Sequence, residues 1–367
     1  MSRDLLFVST NLYWGLPTGN QGFAKHFNDR GFRVLFVEPP YTYLALLKKS
    51  FKKRDNSERI EKICDNFYIL NSFAWFPFFK KYRFFNSIDN HVFLNHIKSS
   101  FSELDFHPEI VWNYMPFLPE VLQNLNAKKV YDCVDDHSAY PGLINPDFVD
   151  ELERETVKIS DAVIVTNETL KDKLSLYGKQ PTVLGNGVDW ALFSEGLFDK
   201  PAQIKKQIIY VGAIAEWFDL NLILAVAKKL PDYKILIIGP VSVDIAKLAS
   251  APNVQFKGKM TQQEFAPILR ESAAAIIPFK VNKLTERIDP LKLYEYFAAG
   301  VPVVSTRVGG TKEFPVFVAD SESQFIEKIK EAIETDSNEK RLSRSMSVKQ
   351  FSWETKYAIV DKIIESL

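Results

Sequence analysis

The sequence has little cysteine, no long apolar run and no net charge, and each of these excludes a class of protein. The 2 cysteines, Cys64 and Cys133, are too few for a disulfide framework or a cysteine-based metal site, which favours a reducing cytoplasm. No apolar run is long enough to span a bilayer, and the N-terminus has the pattern of a strand rather than a signal peptide. The 46 basic residues balance the 46 acidic residues, so the overall charge predicts no nucleic-acid partner.

The length of the chain and its alternating pattern indicate two domains of α/β type. A chain of 367 residues exceeds a comfortable single core, and 46% of the residues are apolar, as in a globular protein. Short apolar runs alternate with helical segments in both halves, and strand, helix, strand in this spacing indicates parallel β-α-β units. The predicted strands are Leu5–Ser9, Arg33–Val37, Glu109–Trp112, Lys129–Tyr131, Ala162–Thr166, Thr182–Leu184, Gln207–Val211, Lys234–Ile238, Val254–Phe256, Ala274–Ile277 and Val301–Val304.

One segment, which reads Asp-Pro-Leu-Lys-Leu-Tyr-Glu-Tyr-Phe-Ala-Ala-Gly-Val-Pro-Val-Val, predicts a short helix followed by a buried strand. Asp289 is a typical N-cap, Pro290 suits the first helical position, and Gly300 suits the end. Lys292 and Glu295 lie on one face near the helix start. A helix start with a lysine attracts a diphosphate, and a carboxylate one turn later can accept hydrogen bonds from a ribose diol. The alternative is a solvated ion pair without a ligand.

This segment resembles the donor-binding helix of the GT-B glycosyltransferases of the family 4, group 1 type. In that family a glutamate shortly before an Ala-x-Gly-x-Pro-Val-Val run holds the nucleotide ribose, and Glu295 occupies its position. The resemblance implies two Rossmann-like domains with parallel sheets that face each other across a cleft, the second of which binds the nucleotide sugar. A second family glutamate, eight residues earlier, is replaced by Arg287, which indicates an atypical branch. The donor-binding residues implied are Gly212, Lys280, Arg287, Asp289, Pro290, Leu291, Lys292 and Glu295.

The loop that begins at Gly212 also departs from the family pattern. Many retaining members have an arginine and a lysine for the diphosphate here, whereas this chain reads Gly-Ala-Ile-Ala-Glu-Trp-Phe-Asp. The resemblance therefore leaves the departing diphosphate to Lys292 and the helix start, with Lys280 or Arg287 as further cations. The loop is similar to those of TuaH-type teichuronic acid glycosyltransferases and of the xanthan-assembly glucuronosyltransferase. These departures, with an acid on the acceptor side, favour inversion.

The segment Asp-Cys-Val-Asp-Asp-His-Ser-Ala-Tyr from Asp132 to Tyr140 places three acids and a histidine after a predicted strand. A divalent-metal site is one interpretation, but the spacing is not Asp-x-Asp and no other ligand cluster is visible. A structural role, with an acid capping a turn, is the second. The third is general-base catalysis, in which a carboxylate removes the proton of an attacking hydroxyl. By resemblance to the same two kinds of protein, Asp135 is the candidate base, with Asp136 and His137 as orienting neighbours.

Two further segments predict contacts on the acceptor side. The aromatic, glycine-rich loop that contains Trp14, Gly15 and Gly19 follows the first strand and lacks a phosphate-loop pattern, so it is expected to form an acceptor wall. Residues 48–85 contain a basic cluster and then aromatics mixed with cations. They form either an interfacial patch on an anionic membrane or a solvated face beside core aromatics. An RNA-binding interpretation is weaker, because no nucleic-acid motif accompanies them.

The resemblance implies an acceptor domain at residues 1–200, a donor domain at 201–345, and a C-terminal helix at 346–367 that returns to the first domain. The predicted activity is sugar transfer from a nucleoside-diphosphate sugar, with UDP favoured, to a lipid-linked saccharide or a cell-surface polysaccharide precursor. We expect no metal or other cofactor, and a protein that is cytoplasmic or peripheral on the cytoplasmic face of the membrane. The alternatives are a nucleotide-sugar 2-epimerase of the same fold and a non-catalytic nucleotide-sugar-binding subunit.

Overall fold

The structure is a computed structural model that describes residues 3–14, 19–43, 58–71, 74–140, 142–201, 203–282, 285, 288, 290–309, 311 and 314–367. The chain divides into two compact units, one of Met1–Leu184 with Tyr357–Leu367 and the other of Gly185–Lys356. Residues 185–200 are grouped with the second unit. Within that unit Val188 N donates to Phe351 O at 3.0 Å, and Arg270 Nη1 donates to Leu192 O at 2.7 Å.

The described part of the first unit contains an eight-stranded sheet. All neighbouring pairs are parallel except one antiparallel pair at an edge, formed by Ile60–Cys64 (β4) and Phe67–Leu70 (β5). Its order is Thr182–Val183 (β10), Ala162–Val165 (β9), Lys128–Cys133 (β8), Pro108–Asn113 (β7), Asp4–Val8 (β1), Arg33–Val37 (β2), Phe67–Leu70 (β5) and Ile60–Cys64 (β4). Two short strands, Tyr41–Thr42 (β3) and Ala74–Trp75 (β6), pair in parallel beside it.

The described part of the second unit contains a six-stranded sheet in which every neighbouring pair is parallel. Its order is Val254–Gly258 (β13), Lys234–Ile238 (β12), Lys205–Val211 (β11), Ser272–Ile277 (β14), Val303–Thr306 (β15) and Phe317–Ala319 (β16). This is the doubly wound Rossmann order, in which the strand order reverses between β11 and β14. The corresponding reversal in the first unit lies between β1 and β7. Ligands of such sheets bind beyond the carboxyl ends of the strands at these reversals.

Helices connect the strands and cover the sheets, as the alternating pattern predicts. They are Gly19–Asp29 (α1), Arg83–Leu104 (α2), Pro119–Gln123 (α3), Pro146–Ile159 (α4), Glu168–Ser175 (α5), Trp190–Ser194 (α6), Leu220–Lys229 (α7), Ala246–Ala249 (α8), Gln262–Arg270 (α9), Leu291–Ala298 (α10), Glu322–Glu334 (α11), Asn338–Ser347 (α12) and Trp353–Ser366 (α13). Short 3-10 turns lie at His137–Ala139 and Lys349–Phe351. The central strands of each sheet consist mostly of buried aliphatic and aromatic residues, so each unit has its own core.

The long helix α2 and the edge hairpin β4–β5 are the main elements that the sequence pattern did not predict. The buried face of α2 carries polar side chains, which interrupt the apolar period of a helix. Asn86 Nδ2 and Asn90 Nδ2 both donate to Phe117 O, at 3.1 and 2.9 Å, and Asp89 accepts the Phe76 amide at 3.1 Å. The fold class itself, α/β with two parallel-sheet Rossmann-like domains, is confirmed.

Candidate functional site

The predicted donor helix is present as α10, but it begins one residue later than expected. Pro290 is the N-cap residue with extended backbone, φ −70° and ψ 109°, so the first helical residue is Leu291. Asp289, the expected cap, and Arg287 lie outside the described residues. The predicted end is confirmed, because Gly300 follows the C-cap with φ +73°, a left-handed conformation that favours glycine.

Lys292 lies on the first turn of α10 in an aromatic surrounding. Its Nζ is 4.8 Å from the ring centroid of Phe279 and 5.5 Å from that of Tyr210. Within the described part of the chain it forms no hydrogen bond or ion pair, including with Glu295, so the alternative of a solvated ion pair does not apply here. Burial lowers the pKa of Lys292 from 10.5 to about 8, against a smaller opposing effect of Glu295. A cation held by rings alone is a ready partner for an anion.

Glu295 lies one turn further along the helix and is buried. Its Oε1 accepts a hydrogen bond of 2.7 Å from Gln262 Nε2 at the start of α9. Burial raises the pKa of Glu295 to about 7, although Gln262 and then Lys292 act in the opposite direction. Gln262 was not predicted as a site residue. The capping box of Thr261 and Glu264, a Thr-x-x-Glu pattern, was the available signal, because it places Gln262 at the first position of a helix.

Gly212 and Gly239 let the ends of β11 and β12 approach each other and the lysine. A Cβ on Gly212, which has φ +145°, would lie 2.8 Å from Lys292 Cε and 3.1 Å from Nζ. A Cβ on Gly239 would lie 2.0 Å from Gly212 O. Lys280 is exposed and supports this loop, since its Nζ donates to Glu216 O at 2.9 Å. The structure therefore brings Gly212 and Lys292 into contact and uses Lys280 to hold the neighbouring loop.

The first unit contains a cavity of about 340 Å³ at the strand-order reversal of its own sheet. This is a suitable volume for a monosaccharide-sized ligand, since pockets for small molecules begin at about 300 Å³. Asp135 and His137 line it, as predicted for the acid-rich segment. The other lining residues follow β1, β2, β7 and β8 or precede α2, and are Thr10, Asn11, Pro39, Pro40, Phe79, Lys80, Met115, Phe117, Val134 and Tyr140.

Asp135 lies at the rim of this cavity and is held by Tyr140, whose Oη donates to Asp135 Oδ2 at 2.7 Å. Burial, and to a smaller extent the neighbouring Asp136, raise the pKa of Asp135, while the Tyr140 hydrogen bond acts against them. A carboxylate with a raised pKa is a stronger base than an ordinary one. The geometry therefore suits proton removal from a hydroxyl bound in the cavity.

His137 and Lys80 both contact the ring of Phe117. The His137 ring is edge-on to Phe117 with centroids 5.5 Å apart, and Lys80 Nζ is 4.3 Å from the Phe117 centroid. His137 is 6% exposed, and its Nε2 has no hydrogen-bond partner among the described residues. Burial, followed by the charges of Lys80 and Lys173, lowers the pKa of His137 to about 3, so its ring is neutral at pH 7. Lys80 was missed because its neighbours resemble a surface patch.

Asp136 faces away from the cavity and belongs to an ion-pair cluster around Lys173. Lys173 Nζ lies 2.8 Å from Asp136 Oδ1, 2.8 Å from Asp150 Oδ1 and 2.9 Å from Glu153 Oε2. Ser138 Oγ also donates to Asp136 Oδ1 at 2.8 Å. These contacts favour the structural interpretation for Asp136, which joins the segment after β8 to α5.

The predicted acceptor loop is only partly described. Trp14 is 55% exposed and packs edge-on against Tyr13, and Gly19 is the first residue of α1, whereas Gly15 lies outside the described residues. From this loop the structure places Thr10 and Asn11, rather than Trp14 or Gly19, at the cavity.

Within the described ranges, no group of three or more histidine, cysteine, aspartate or glutamate side chains lies close enough to hold a metal ion. No helix within those ranges is both long and apolar enough to cross a membrane. Metal independence stays a prediction.

Sequence comparison finds a family match within the second unit. Residues 205–335 match the family described as glycosyl transferases group 1. The chain is 26% identical to TuaH of Bacillus subtilis (strain 168), a glycosyltransferase named for teichuronic acid biosynthesis. That match covers 55% of this chain and 56% of TuaH, so it spans little more than half of the relative. The resemblance of the Asp135 loop to the xanthan-assembly glucuronosyltransferase stays a prediction.

Comparison with solved structures shows the fold over essentially the whole chain. Sucrose-phosphate synthase from Thermosynechococcus elongatus aligns with a TM-score of 0.75 at 12% identity, over 99% of this chain and 98% of that one. Anabaena HepE in complex with UDP aligns with a TM-score of 0.66 at 12% identity, over 100% of both chains. A UDP-forming α,α-trehalose-phosphate synthase from Burkholderia xenovorans aligns with a TM-score of 0.67 at 13% identity, over 98% of both.

Proposed function

We propose that the chain transfers a sugar from a nucleoside-diphosphate sugar to a lipid-linked saccharide or polysaccharide precursor, because residues 205–335 match the group 1 glycosyltransferase family. UDP is the favoured nucleotide, since solved structures of the same fold include HepE with UDP and UDP-glucose and a UDP-forming synthase. The name of TuaH supports a polysaccharide precursor as the acceptor.

The observation that carries this proposal is the environment of Lys292. A lysine on the first turn of a helix adds its charge to the partial positive charge of the helix start. The absence of a side chain at Gly212 leaves room for this lysine, and the rings of Phe279 and Tyr210 hold it without neutralising its charge. A diphosphate at this position would supply the anion that the described residues do not, and Glu295 would accept hydrogen bonds from the ribose.

The proposed reaction uses one group from each unit. Asp135 takes the proton of the acceptor hydroxyl as its oxygen attacks the anomeric carbon. The bond between that carbon and the diphosphate oxygen breaks, and the electron pair leaves with the nucleoside diphosphate. Lys292 and the start of α10 stabilise the charge that develops on the departing diphosphate. A carboxylate that acts as a base on the acceptor side favours inversion at the anomeric carbon.

Nucleotide binding can be tested with purified protein by a thermal-shift series of UDP, GDP, dTDP and CMP. We expect UDP to raise the unfolding temperature, because a ligand at about a hundred times its Kd adds about 2.7 kcal/mol of stability. The shift should fall in Glu295→Ala and persist in Glu327→Ala, which changes an exposed glutamate on α11. If none of the nucleotides changes the unfolding temperature, the proposed donor site is wrong.

Turnover separates the enzyme classes. Release of UDP together with a glycosylated acceptor supports a transferase, whereas conversion of the donor sugar without an acceptor would indicate an epimerase. Binding without any turnover would indicate a non-catalytic subunit. Repeating the assay after extensive treatment with EDTA tests metal independence, and lost activity that is restored by a divalent cation would contradict that expectation.

An exposed aromatic cluster supports a membrane-bound acceptor. It consists of Tyr43, Phe76, Phe78, Tyr82, Phe84 and Phe85, whose rings form consecutive contacts with centroids between 5.6 and 6.3 Å apart. Phe84 is 70% exposed and Tyr82 is 50% exposed. Aromatic rings are favourable at the headgroup level of a bilayer. The basic residues 48–54 of the predicted patch lie outside the described residues.

Vesicle flotation tests this surface. We expect binding to vesicles that contain about 30% anionic lipid to weaken in Tyr82→Ser/Phe84→Ser, since interfacial binding scales with buried apolar area. Leu176→Ser is the matched control, because Leu176 is 83% exposed but lies on α5's C-cap, outside the cluster. Equal binding by the wild type, the double variant and the control would contradict a membrane contact at this cluster.

A further inference from the structure

We propose that the cavity of the first unit recognises an acidic group on the acceptor, a phosphate or a carboxylate, through Lys80 and His137. This inference rests on the proposed function, because it specifies the acceptor of the same transfer. It concerns a part of the cavity that the proposed proton transfer does not use.

The first observation is an ammonium group without an anion. Lys80 Nζ lies over the rings of Phe117 and Phe79, at 4.3 and 5.4 Å, and the described residues give it no hydrogen bond or ion pair. Its backbone is fixed, because the Asn145 amide donates to Lys80 O at 3.0 Å at the start of α4. A partly buried charge without a counterion is unfavourable. An anion that binds in the cavity would supply that counterion and be stabilised by it.

The second observation is independent and lies on another segment. His137 Nε2 is buried and faces no hydrogen-bond partner among the described residues, although it belongs to a residue that lines the cavity. A buried nitrogen of this kind costs free energy unless a ligand or water satisfies it. A neutral imidazole has one N–H to donate. Lys80 and His137 both pack on Phe117. One acidic group can therefore form an ion pair with Lys80 and accept a hydrogen bond from His137.

The rest of the cavity indicates where the reacting hydroxyl lies. Asp135 and Tyr140 supply a carboxylate and a phenol, and the phenol Oη donates a hydrogen bond of 2.7 Å to Asp135 Oδ2. No ion pair joins Asp135 to Lys80 in the part of the chain that the structure describes. An acceptor with its acidic group at Lys80 and a hydroxyl at Asp135 satisfies both ends, whereas an anion beside Asp135 would be repelled. The acceptor is therefore an acidic sugar, or a sugar that carries a phosphate, rather than a neutral one.

Calorimetry with defined probes tests this inference. Glucose 6-phosphate, glucuronate and farnesyl diphosphate represent a sugar phosphate, a uronic acid and a lipid-linked diphosphate, and glucose is the neutral reference. We expect at least one acidic probe to bind about tenfold or more tightly than glucose, as charge-assisted hydrogen bonds imply. The probe that binds best identifies the source of the acidic group.

The variants localise the effect. Lys80→Met keeps most of the side chain beside the rings but removes the charge, and it should abolish the preference for the acidic probe, whereas Lys80→Arg should retain most of it. Lys81→Met is the matched control, because Lys81 is the next residue and its Nζ lies over the surface ring of Tyr82, 5.5 Å from the centroid. A wild-type-like urea unfolding curve verifies that each variant is folded, and UDP binding reports separately on the second unit. Equal affinity for glucose and all acidic probes, or an unchanged preference in Lys80→Met, would overturn the inference. UDP binding by the same proteins would still support the proposed function.

Discussion

Replacing Lys292 with methionine is expected to stabilise the free protein while it destroys nucleotide binding. Methionine keeps the aliphatic part of the side chain beside Phe279 and Tyr210, and it removes a charge that forms no ion pair or hydrogen bond among the described residues. Groups that bind a ligand are commonly kept at a cost in stability, because the free site leaves them unsatisfied. Lys292→Met therefore separates a donor-binding lysine from one that merely supports the fold.

The magnitude follows from the pKa. A fall from 10.5 to about 8 makes the charged form of Lys292 less favourable in the folded protein than in the unfolded chain. At 1.36 kcal/mol for each tenfold change, this corresponds to about 3 kcal/mol at pH 7. Glu295 loses an attractive neighbour in the variant, so we expect a net gain of about 1 to 3 kcal/mol. Because a lowered lysine pKa costs stability only where the unfolded lysine is charged, the gain should be full below about pH 8 and disappear above about pH 10.5.

Urea unfolding of wild type and Lys292→Met at pH 7 and pH 10, without nucleotide, measures this difference. We expect the difference in stability between the two proteins to be much smaller at pH 10 than at pH 7, and UDP to stabilise the wild type alone. Lys280→Met is the control, because Lys280 is exposed and bonds only to a backbone carbonyl among the described residues. A Lys292→Met protein that is less stable at pH 7, or that binds UDP as the wild type does, would refute this account of Lys292.

Three further predictions concern both units. Gly212→Ala should weaken UDP binding more than tenfold by calorimetry, because its Cβ would lie 2.8 Å from Lys292 Cε at φ +145°, and unchanged affinity would contradict the close approach. Asp136→Asn should lower the urea midpoint by an amount equivalent to about 1 to 3 kcal/mol, because it weakens a charge-assisted hydrogen bond to Lys173, which keeps Asp150 and Glu153 as partners. A loss of turnover without a loss of stability would instead indicate that Asp136 takes part in the reaction. The rate of transfer should fall as the pH falls through the raised pKa of Asp135, since only its ionised form accepts a proton, and an Asp135→Asn enzyme that retains normal turnover would remove it as the base.

Local patterns in the sequence were sufficient to predict the architecture. Strictly alternating apolar runs and helices specify parallel β-α-β units, because both faces of each strand must be covered. The stop at Gly300 is also local, since a left-handed residue must end the helix there. Long-range contacts were not predictable in this way. The helix α2 was missed because Asn86 and Asn90 point inward to a carbonyl of Phe117, which belongs to a segment 27 or more residues away.

The sequence alone determined that Lys292 and Glu295 share a helix face, and that Asp135 and His137 follow a strand, because these relations depend on residues a few positions apart. Only the tertiary structure decided what surrounds them. It places Gln262 against Glu295, Gly212 against Lys292, and Lys80 beside His137, pairs that are 33, 80 and 57 positions apart in the chain. Whether a charge is buried and paired depends on such neighbours. The structure was therefore needed to show that Lys80 and Lys292 form no ion pair among the described residues.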